Sequence, residues 1–394
     1  MEGRDRLFAA GGAVALAMLG TATAGFAGAQ TGPETAAMQA LVARAPSCIA
    51  RPRVVTVTPG QSIQAAIDRA EPGTVISVEA GTYRGSLDLT GLSGTPDRPV
   101  ILLSAGGVGA AVIVGAPDKP AIGAWGISDV GIYGFKVVSG TSAGDLGGFK
   151  IAGPWEKPAR NVAIVGNVVT GVGTDGIKLF NGAADIKVVG NLIDGDWREE
   201  GMDNVSVERS LFAFNTVRGS ARYTSITMKA GSRDITLAGN EFDSRSGVGI
   251  NVGGVGTSRF NRKFPDYWKG FEASAITVTG NVVGDRPERS VAFIGANRSV
   301  LKDNFLAGAV RSRPHDQPGK LHYPSHDNRI VGNTVAKESF FQPDEGQDRG
   351  YVLAGNGTGA AKVRAGVAAL PDPVRAVCPA SPAGTLARTF TSSE

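Results

Sequence analysis

The stretch GTDGIKLFNGAADIKVVGNLIDG, residues 173–195, contains two short runs in which apolar and polar side chains alternate. The first run lies at residues 177–179 and the second at residues 186–188. A period of two is typical of β-strands that bury one face. Apolar residues at the spacing of an amphipathic helix do not recur here. The stretch therefore predicts short strands separated by turns.

A Gly-Asn pair near the end of this stretch has counterparts along the chain. Seven asparagines stand at such positions: Asn167, Asn191, Asn215, Asn240, Asn281, Asn304 and Asn333. The first four are 24, 24 and 25 residues apart, and such a period is typical of repeat architectures. A coil of three short strands cannot bury its own apolar face, whereas stacked coils share a core and pair their backbones. The repeat predicts a parallel β-solenoid.

The recurring asparagines are predicted to lie one above another at a turn. Stacked amides can hydrogen-bond up and down the stack as a ladder. Asparagine also tolerates the left-handed backbone conformation that tight turns use. These asparagines are therefore assigned to the fold rather than to the chemistry.

Composition fits an ordered protein with many turns. The chain has 56 glycines in 394 residues, 42% hydrophobic residues and 19% charged residues, which excludes a disordered chain. A net charge of +4 without any Lys/Arg run gives no reason to expect nucleic acid as a partner, but it permits an acidic polymer. Cys48 and Cys378 can pair in an oxidising compartment or stay separate, and the sequence leaves both options open.

The two ends of the chain predict the location of the protein and the boundaries of its segments. A charged start is followed by an apolar run, and Ala27 and Ala29 precede Gln30 as in a signal-peptidase site, so residues 1–29 are predicted to be a secretory signal peptide. A retained membrane anchor is the alternative. No later apolar run is long enough to span a bilayer. We expect a periplasmic or secreted monomer with an N-terminal segment at 30–53, a repeat domain at 54–357 and a C-terminal tail at 358–394.

The start of the repeat domain, VTVTPGQSIQAAIDRAEPGTVISVEAGTYRG, places an amphipathic helix from Ile63 to Ala70 between two strands. There it can cover the open first coil. This stretch and the repeats after it resemble right-handed parallel β-helix proteins, a superfamily that includes pectate lyases, chondroitinase B and alginate lyases. The resemblance covers roughly Val54 to Asn356. It implies an all-β, right-handed parallel β-helix with a short N-terminal capping helix.

Four strand segments can be aligned by the repeat: GFKIAG, GIKLFN, SITMKAG and GINVGG. Their alternation predicts six inward side chains, which are Ile177, Leu179, Ile226, Met228, Ile250 and Val252. Lys150 and Lys178 then share one outward column, and Lys229 lies in the next column. We interpret these lysines as a basic strip on one sheet, with Lys150 and Lys178 binding substrate. Ordinary solvated surface is the alternative.

The unit DGDWREEGMDNVSVERS, residues 194–210, is rich in carboxylates and lies between Lys178 and Lys229 in the stack. Hard cations such as Ca²⁺ take six to eight oxygen ligands. Glu199, Glu200 and Asp203 are the predicted metal ligands, with Ca²⁺ as the candidate ion. The spacing matches no EF-hand, and a solvated acidic turn is the alternative.

The resemblance to β-helix lyases implies a reaction. In those enzymes Lys or Arg removes a ring proton next to a sugar carboxylate, and Ca²⁺ or a basic residue neutralises that carboxylate. The segment TMKAGS resembles the strand-ending lysine of metal-dependent pectate lyases, which implies that Lys229 is the catalytic base. A free lysine has a pKa of about 10.4, so this role requires burial or a nearby cation. The Asp-Gly that often precedes such a strand is Thr224-Ser225 here, and Asp-Gly occurs instead at 175–176.

An insertion lengthens the repeat between Asn240 and Asn281 to 41 residues. It interleaves aromatic and basic residues, and we predict that it forms a wall that binds polysaccharide. The residues assigned to this wall are Arg259, Arg262, Lys263, Tyr267 and Trp268. The alternative is that the aromatic residues pack the insertion onto the body.

All three histidines, His315, His322 and His326, fall in one Pro-rich segment that can bind Zn²⁺ or supply an acid and a base. The sequence around His315 resembles the Asp-Pro-His motif of mannuronan epimerases, with Arg313 in place of the leading Asp. The Gly-His-Gly and Arg-Ile-Lys motifs of pectin hydrolases are absent. The predicted function is a secreted lyase-like enzyme that acts by β-elimination on an acidic, uronate-containing polysaccharide. The alternatives are a non-catalytic polysaccharide-binding protein and a uronate epimerase.

Overall fold

Short parallel strands stack into three sheets, arranged as in a right-handed parallel β-helix. A computed structural model describes residues 52–140, 146–254, 270–317, 321–337 and 340–359. Within one coil the chain passes through a strand of each sheet in turn, for example Arg160–Val165, Val168–Gly173 and Asp175–Phe180. Each strand then pairs with the strand one coil away, so backbone groups are satisfied between coils.

We name the three sheets A, B and C. Sheet A contains Arg53–Val57, Thr74–Val78, Val100–Ser104, Ser128–Tyr133, Arg160–Val165, Lys187–Val189, Leu211–Ala213, Ser232–Ala238, Ala273–Thr279, Ala296–Asn297, Val300–Lys302, Arg329–Val331 and Val352–Ala354. Sheet B contains Gly81–Arg84, Ala111–Val114, Lys136–Gly140, Val168–Gly173, Leu192–Trp197, Thr216–Ala221, Glu241–Phe242, Val282–Val283, Phe305–Leu306, Thr334–Val335 and Gly357–Thr358. Sheet C contains Leu87–Asp88, Ile122–Trp125, Gly147–Ala152, Asp175–Phe180, Glu200–Val205, Thr224–Lys229, Val248–Gly253, Val291–Ile294, Val310–Arg313 and Phe341–Pro343. A separate antiparallel pair joins His315–Gln317 to Leu321–Tyr323.

The core runs along the axis of the helix and is lined by all three sheets. The six side chains predicted to point inward on sheet C are fully buried in this core, which confirms the alternation: Ile177, Leu179, Ile226, Met228, Ile250 and Val252. Sheet C thus turns one face to the core, and the opposite set of side chains lies on its outer face.

The asparagine ladder is confirmed and extends to Asn356. At each step the backbone N–H and the side-chain amide of one asparagine donate to Oδ1 of the asparagine one coil on, as from Asn167 to Asn191 and from Asn191 to Asn215. The Asn191 amide also donates to the carbonyls of Ile164 and Val189. Each side chain therefore satisfies backbone groups that the turn between sheets A and B leaves buried and unpaired.

The left-handed conformation falls on the residue before each ladder asparagine, so its predicted place on the asparagine is wrong. Gly166 and Gly190 have φ values of 63° and 62°. Phe214 and Asp303 take the same place with φ values of 55° and 56°. Glycine has no Cβ to oppose this conformation, which explains why the pair is usually Gly-Asn.

The ladder makes a prediction about stability. Replacing Asn191 with alanine leaves buried backbone groups without partners, and we expect the free energy of unfolding to fall by about 1–3 kcal/mol. Asn181 lies off the ladder but has a φ of 56°, so Asn181→Gly, which adds no strain, is the matched control. Chemical denaturation of both variants measures the difference. Equal free energies of unfolding for the two variants would contradict a stabilising role of the asparagine ladder.

A short helix, Ile63–Ile67, follows the first strand and is shorter than the predicted Ile63 to Ala70. The Ser62 side chain accepts a hydrogen bond from the Ala65 N–H at its start. Ile63, Ala66 and Ile67 are buried and join the core. The capping role of this helix stays a prediction.

Several predictions concern residues outside the described part of the chain. They are the signal peptide, Cys48, Cys378, the C-terminal tail beyond residue 359, and the five binding residues of the insertion. Phe271, at the end of the insertion, is described and is buried. Among the described residues, no helix combines the length and the apolar character needed to cross a membrane.

Candidate active site

A column of outward side chains runs along sheet C, one residue per coil. Lys150 pairs in register with Lys178, which pairs with Asp203, and this confirms the predicted shared column of the two lysines. The column continues through Thr227 and Asn251. Lys229 lies two residues along its strand from Thr227, in register with Val205. Adjacent coils are about 4.8 Å apart, so side chains distant in sequence meet on this face.

Three carboxylates and two ammonium groups form the carboxylate–lysine cluster: Asp175, Lys178, Glu200, Asp203 and Lys229. Lys178 Nζ lies 3.2 Å from Asp175 Oδ2 and 3.0 Å from Asp203 Oδ2. Lys229 Nζ lies 3.0 Å from Glu200 Oε1 and 2.9 Å from Asp203 Oδ1. Asp203 thus bridges the two lysines, and the acids outnumber the bases by one.

Burial changes the acidity of the carboxyl groups in the cluster. It raises the pKa of Asp175 to about 6, and the negative charge of Asp203 acts in the same direction. Burial and Asp203 likewise raise the pKa of Glu200 well above its usual range, against the opposing charge of Lys229. The cluster therefore holds a proton more readily than exposed carboxylates do.

Lys229 does not have the lowered pKa that a catalytic lysine requires. Burial alone would lower its pKa, but the charges and hydrogen bonds of Asp203 and Glu200 outweigh burial and raise it above the usual range. Its side chain is 18% exposed and lines the cleft described below. In this state Lys229 is a proton donor, and it can act as a base only when the charge of its partners is neutralised.

The raised pKa of Asp175 predicts how stability depends on pH. Because the folded-state pKa of about 6 lies above the unfolded value of 3.8, the folded protein binds this proton more tightly. The resulting stabilisation is full below about pH 4 and is lost as the pH rises through 6, by up to about 3 kcal/mol. Glu200 acts in the same direction. In chelating buffer, Asp175→Asn should therefore gain stability relative to wild type between pH 4 and pH 7, and a constant difference would contradict this account.

The cluster can hold a metal ion. Carboxylate oxygens of Asp175, Glu200 and Asp203 lie within 4.8 Å of one another, which makes these three the one candidate metal group among the described residues. Glu200 Oε2 is buried without a hydrogen-bond partner. An all-oxygen donor set with a buried, unused oxygen suits a hard cation. Such an ion would compete with the two ammonium groups for the same oxygens.

The metal prediction is thus corrected at one residue. Glu199 is outside the group, and its backbone N–H donates to the Thr174 carbonyl at the turn before the strand. Asp175 takes its place in the group. Its Oδ1 accepts from the Glu200 N–H one coil away, which holds its carboxylate beside Glu200. The Asp-Gly pair at 175–176 was the sequence signal for Asp175. Its place in the metal group could be found only from the register that places Asp203 opposite Lys178.

A cleft of about 340 Å³ opens beside Lys229 and Glu200 on sheet C. Its other lining residues include four arginines, which sequence analysis missed: Arg222, Arg289, Arg311 and Arg313. Burial lowers the pKa of Arg313, and the positive charge of Arg311 lowers it further. Crowded cations of this kind favour an anionic ligand. Arg311 lies in the Lys150 column, so an alignment carried through to the last coils could have found it.

An aromatic group lies on the same sheet toward the N-terminus. Trp125 is 42% exposed and meets Phe180 edge to face, with ring centroids 6.0 Å apart. The Lys150 ammonium lies 5.6 Å from the centroid of the Phe180 ring. Lys150 thus belongs to this aromatic group, whereas Lys178 is held in the carboxylate–lysine cluster with a side chain that is 14% exposed.

None of the three histidines lines the cleft, although His315 contacts Gly254, which does. His315 Nδ1 is 2.8 Å from Glu272 Oε1 and 2.9 Å from the Gly254 carbonyl oxygen. The side chains of His315 and Glu272 are fully buried. Burial opposes a charge on His315, but Glu272 and the Gly254 carbonyl raise the pKa of the imidazole above its usual range. His322 and His326 pair instead with Asp316 and Asp327. Among described residues the histidines do not converge on a metal site.

Comparisons with known proteins give the fold. No protein-family model and no curated protein sequence matches the chain. Endo-xylogalacturonan hydrolase from Aspergillus tubingensis aligns with a TM-score of 0.53 at 14% identity, over 78% of this chain and 92% of that one. The A-module of mannuronan C-5 epimerase AlgE6 from Azotobacter vinelandii gives 0.52 at 15%, over 76% and 95%. Pectate lyase Pel9A gives 0.50 at 14%, over 78% and 82%. The chain thus shares the right-handed parallel β-helix fold of these carbohydrate-active proteins.

Proposed function

We propose that the protein is a lyase-like enzyme that cleaves an acidic, uronate-containing polysaccharide by β-elimination at the cleft of sheet C. The observation that carries the proposal is the position of Lys229. It lies between a cleft with four arginines and a buried group of carboxylates that controls its protonation. A polyanion bound in the cleft would thus meet a proton-transfer group.

The cleft supports binding of a uronate. Arg222, Arg289, Arg311 and Arg313 can pair with substrate carboxylates, and a guanidinium offers two parallel donors to such a group. Arg311 is already held by Asp344 at 2.9 Å, which fixes its position on the sheet. Neutralising the carboxylate makes the neighbouring ring proton more acidic. The arginines would thus bind the substrate and assist its deprotonation.

Lys229 would accept that proton. As the C–H bond next to the carboxylate breaks, its electron pair forms the carbon–carbon double bond, and the glycosidic oxygen leaves and takes up a proton from the solvent. For this step Lys229 must first be neutral. When no cation is bound in the cluster, protonation of Glu200, whose pKa is already raised, removes one of the charges that keep the lysine protonated. The cluster would set the pKa of the base.

Ca²⁺ is the proposed cation for the cluster, with Asp175, Glu200 and Asp203 as its protein ligands. When bound, it would neutralise carboxylate charge and favour the uncharged form of Lys229. The three carboxylates supply hard oxygens, and Ca²⁺ accepts further oxygens from a substrate.

Other reactions fit the site less well. Inverting hydrolysis needs two carboxyl groups about 6.5–9.5 Å apart with room for a water molecule. The carboxylate oxygens of the cluster lie within 4.8 Å of one another and face ammonium groups. An epimerase role for His315 is opposed by its complete burial. A binding protein without turnover would use the same cleft and is the second candidate.

The location and assembly of the protein belong to the same proposal. A polysaccharide substrate of this kind lies outside the cytoplasm, which agrees with the signal peptide predicted for residues 1–29. We propose an exported monomer, with residues 259–268 of the insertion near the polymer. The mature form, beginning at Gln30, is therefore the form to assay.

The proposal is tested with a panel of uronate polymers. Purified protein is incubated with polygalacturonate, alginate and glucuronate-containing polymers, and the ultraviolet absorbance of unsaturated uronates is followed. We expect absorbance to rise with one class of polymer, and to respond to chelator and to added Ca²⁺. A protein that binds a polymer without producing this absorbance would instead be a binding protein.

A further inference from the structure

We propose that Trp125, Phe180 and Lys150 form a distal sugar-binding subsite for an acidic polysaccharide that runs along sheet C toward Lys229. This inference rests on the proposed function, because it assumes the same polymer. It adds a second contact region, well separated from the reacting bond. It also implies a substrate chain long enough to occupy both regions.

The aromatic group has the chemistry of a sugar-binding surface. Trp125 is a large side chain with 42% of its surface exposed, which is unusual for a residue of this size on a sheet with a packed core. Its edge-to-face contact with Phe180 fixes the orientation of the indole ring. Aromatic faces pack against the apolar faces of sugar rings, and the Lys150 ammonium beside them can meet a uronate carboxylate.

The aromatic group is continuous with the candidate active site. Phe180 packs against Val205 and Ala230, and Ala230 follows Lys229 in the chain. Phe180 also pairs in register with Val205, and Val205 with Lys229. The same surface therefore leads from the aromatic group to the ammonium of Lys229 without crossing to another sheet.

The coil spacing gives the length of this path. Trp125 is in register with Ala152, and the path then passes Phe180 and Val205 before it reaches Lys229. Four steps of about 4.8 Å place Trp125 roughly 19 Å from Lys229 along the axis. A disaccharide bound at the cleft cannot span this distance. The subsite should therefore act only on longer chains.

The test compares binding of long and short oligosaccharides. The ligands are a trimer and an octamer, or a longer fragment, of the polymer that retains the wild-type protein in affinity gels. Trp125→Ala and wild type are titrated with each ligand by calorimetry in chelating buffer. We expect Trp125→Ala to weaken binding of the long fragment about tenfold and to leave the trimer unchanged. Trp125→Phe should restore part of the loss.

Val172→Ala is the matched control, because Val172 is equally exposed at 40% but lies on sheet B. It should bind both fragments as wild type does. Equal affinity of Trp125→Ala and wild type for the long fragment would overturn the subsite even if the enzyme cleaves polymer. A change in the molecular mass of Trp125→Ala in solution would also overturn it, by making this surface a protein contact. Tight Trp125-dependent binding without turnover would keep the subsite and reject only the lyase reaction.

Discussion

Replacing Lys229 with methionine is expected to lower turnover of the polysaccharide about 10²- to 10⁴-fold, the usual contribution of a general base. Methionine keeps most of the side-chain volume but cannot take up a proton. The arginines of the cleft remain in place, so retention of the protein on polymer gels should change little. Initial rates of the absorbance assay and gel retention together measure the two effects.

Lys187→Met is the matched control for this substitution. Lys187 lies on sheet A rather than on sheet C, and its ammonium donates to Asn161 Oδ1. Its turnover should equal that of wild type. Circular dichroism and thermal melting check that Lys229→Met is folded, because Glu200 and Asp203 lose an ion-pair partner in this variant. A folded Lys229→Met with full turnover would exclude Lys229 as the base.

Replacing Glu272 with glutamine is expected to destabilise the protein by about 3–5 kcal/mol, as the loss of one partner from a buried ion pair does. Glu272 is fully buried, and its Oε1 lies 2.8 Å from His315 Nδ1. Its Oε2 accepts from the Ala230 N–H at 2.7 Å. Ala230 has a φ of 59° and directly follows Lys229, so this contact also supports the end of the strand Thr224–Lys229.

The effect of Glu272→Gln should depend on pH. Because the folded-state pKa of His315 is raised, the stabilisation from this pair is full below the unfolded pKa of 6.5 and is lost as the pH rises through the folded value. Denaturation of wild type and Glu272→Gln at pH 6 and at pH 9 measures the difference. It should be larger at pH 6. A difference that is the same at both pH values would contradict a charged His315–Glu272 pair.

Much of the fold could be predicted because its rules are local. The alternation around Ile177 and Ile226 gave the inward face of sheet C, and the spacing of the asparagines gave the length of a coil. The place of the left-handed residue could not be read in the same way. A Gly-Asn pair offers two residues that tolerate this conformation, and only the backbone geometry assigns it to the glycine.

The site was predicted less completely because it depends on register between coils. Lys229, Glu200 and Asp203 stand out in the sequence. The ion pairs that raise the pKa of Lys229 can be recognised only from the distances between its Nζ and the carboxylate oxygens. Asp175 was noticed as part of an Asp-Gly pair, and its contact with Glu200 arises from strands one coil apart.

The arginines of the cleft show the same limitation on a larger scale. Arg222 and Arg311 are 89 residues apart in the sequence and line one cleft in the folded protein. The repeat is irregular between them, since the insertion between Asn240 and Asn281 lengthens it to 41 residues. The period alone places residues in register only over the first coils, and the last coils have to be aligned one by one on their asparagines.

The central claim is that Lys229 and the cleft of sheet C carry out β-elimination on an acidic polysaccharide. The most direct test is the mass of the products formed from a defined oligouronate by the wild-type protein. The proposal predicts a cleaved fragment that lacks one molecule of water relative to the hydrolysis product and carries the ultraviolet absorbance of an unsaturated uronate. Fragments that have gained water, or an oligosaccharide of unchanged mass, would contradict it.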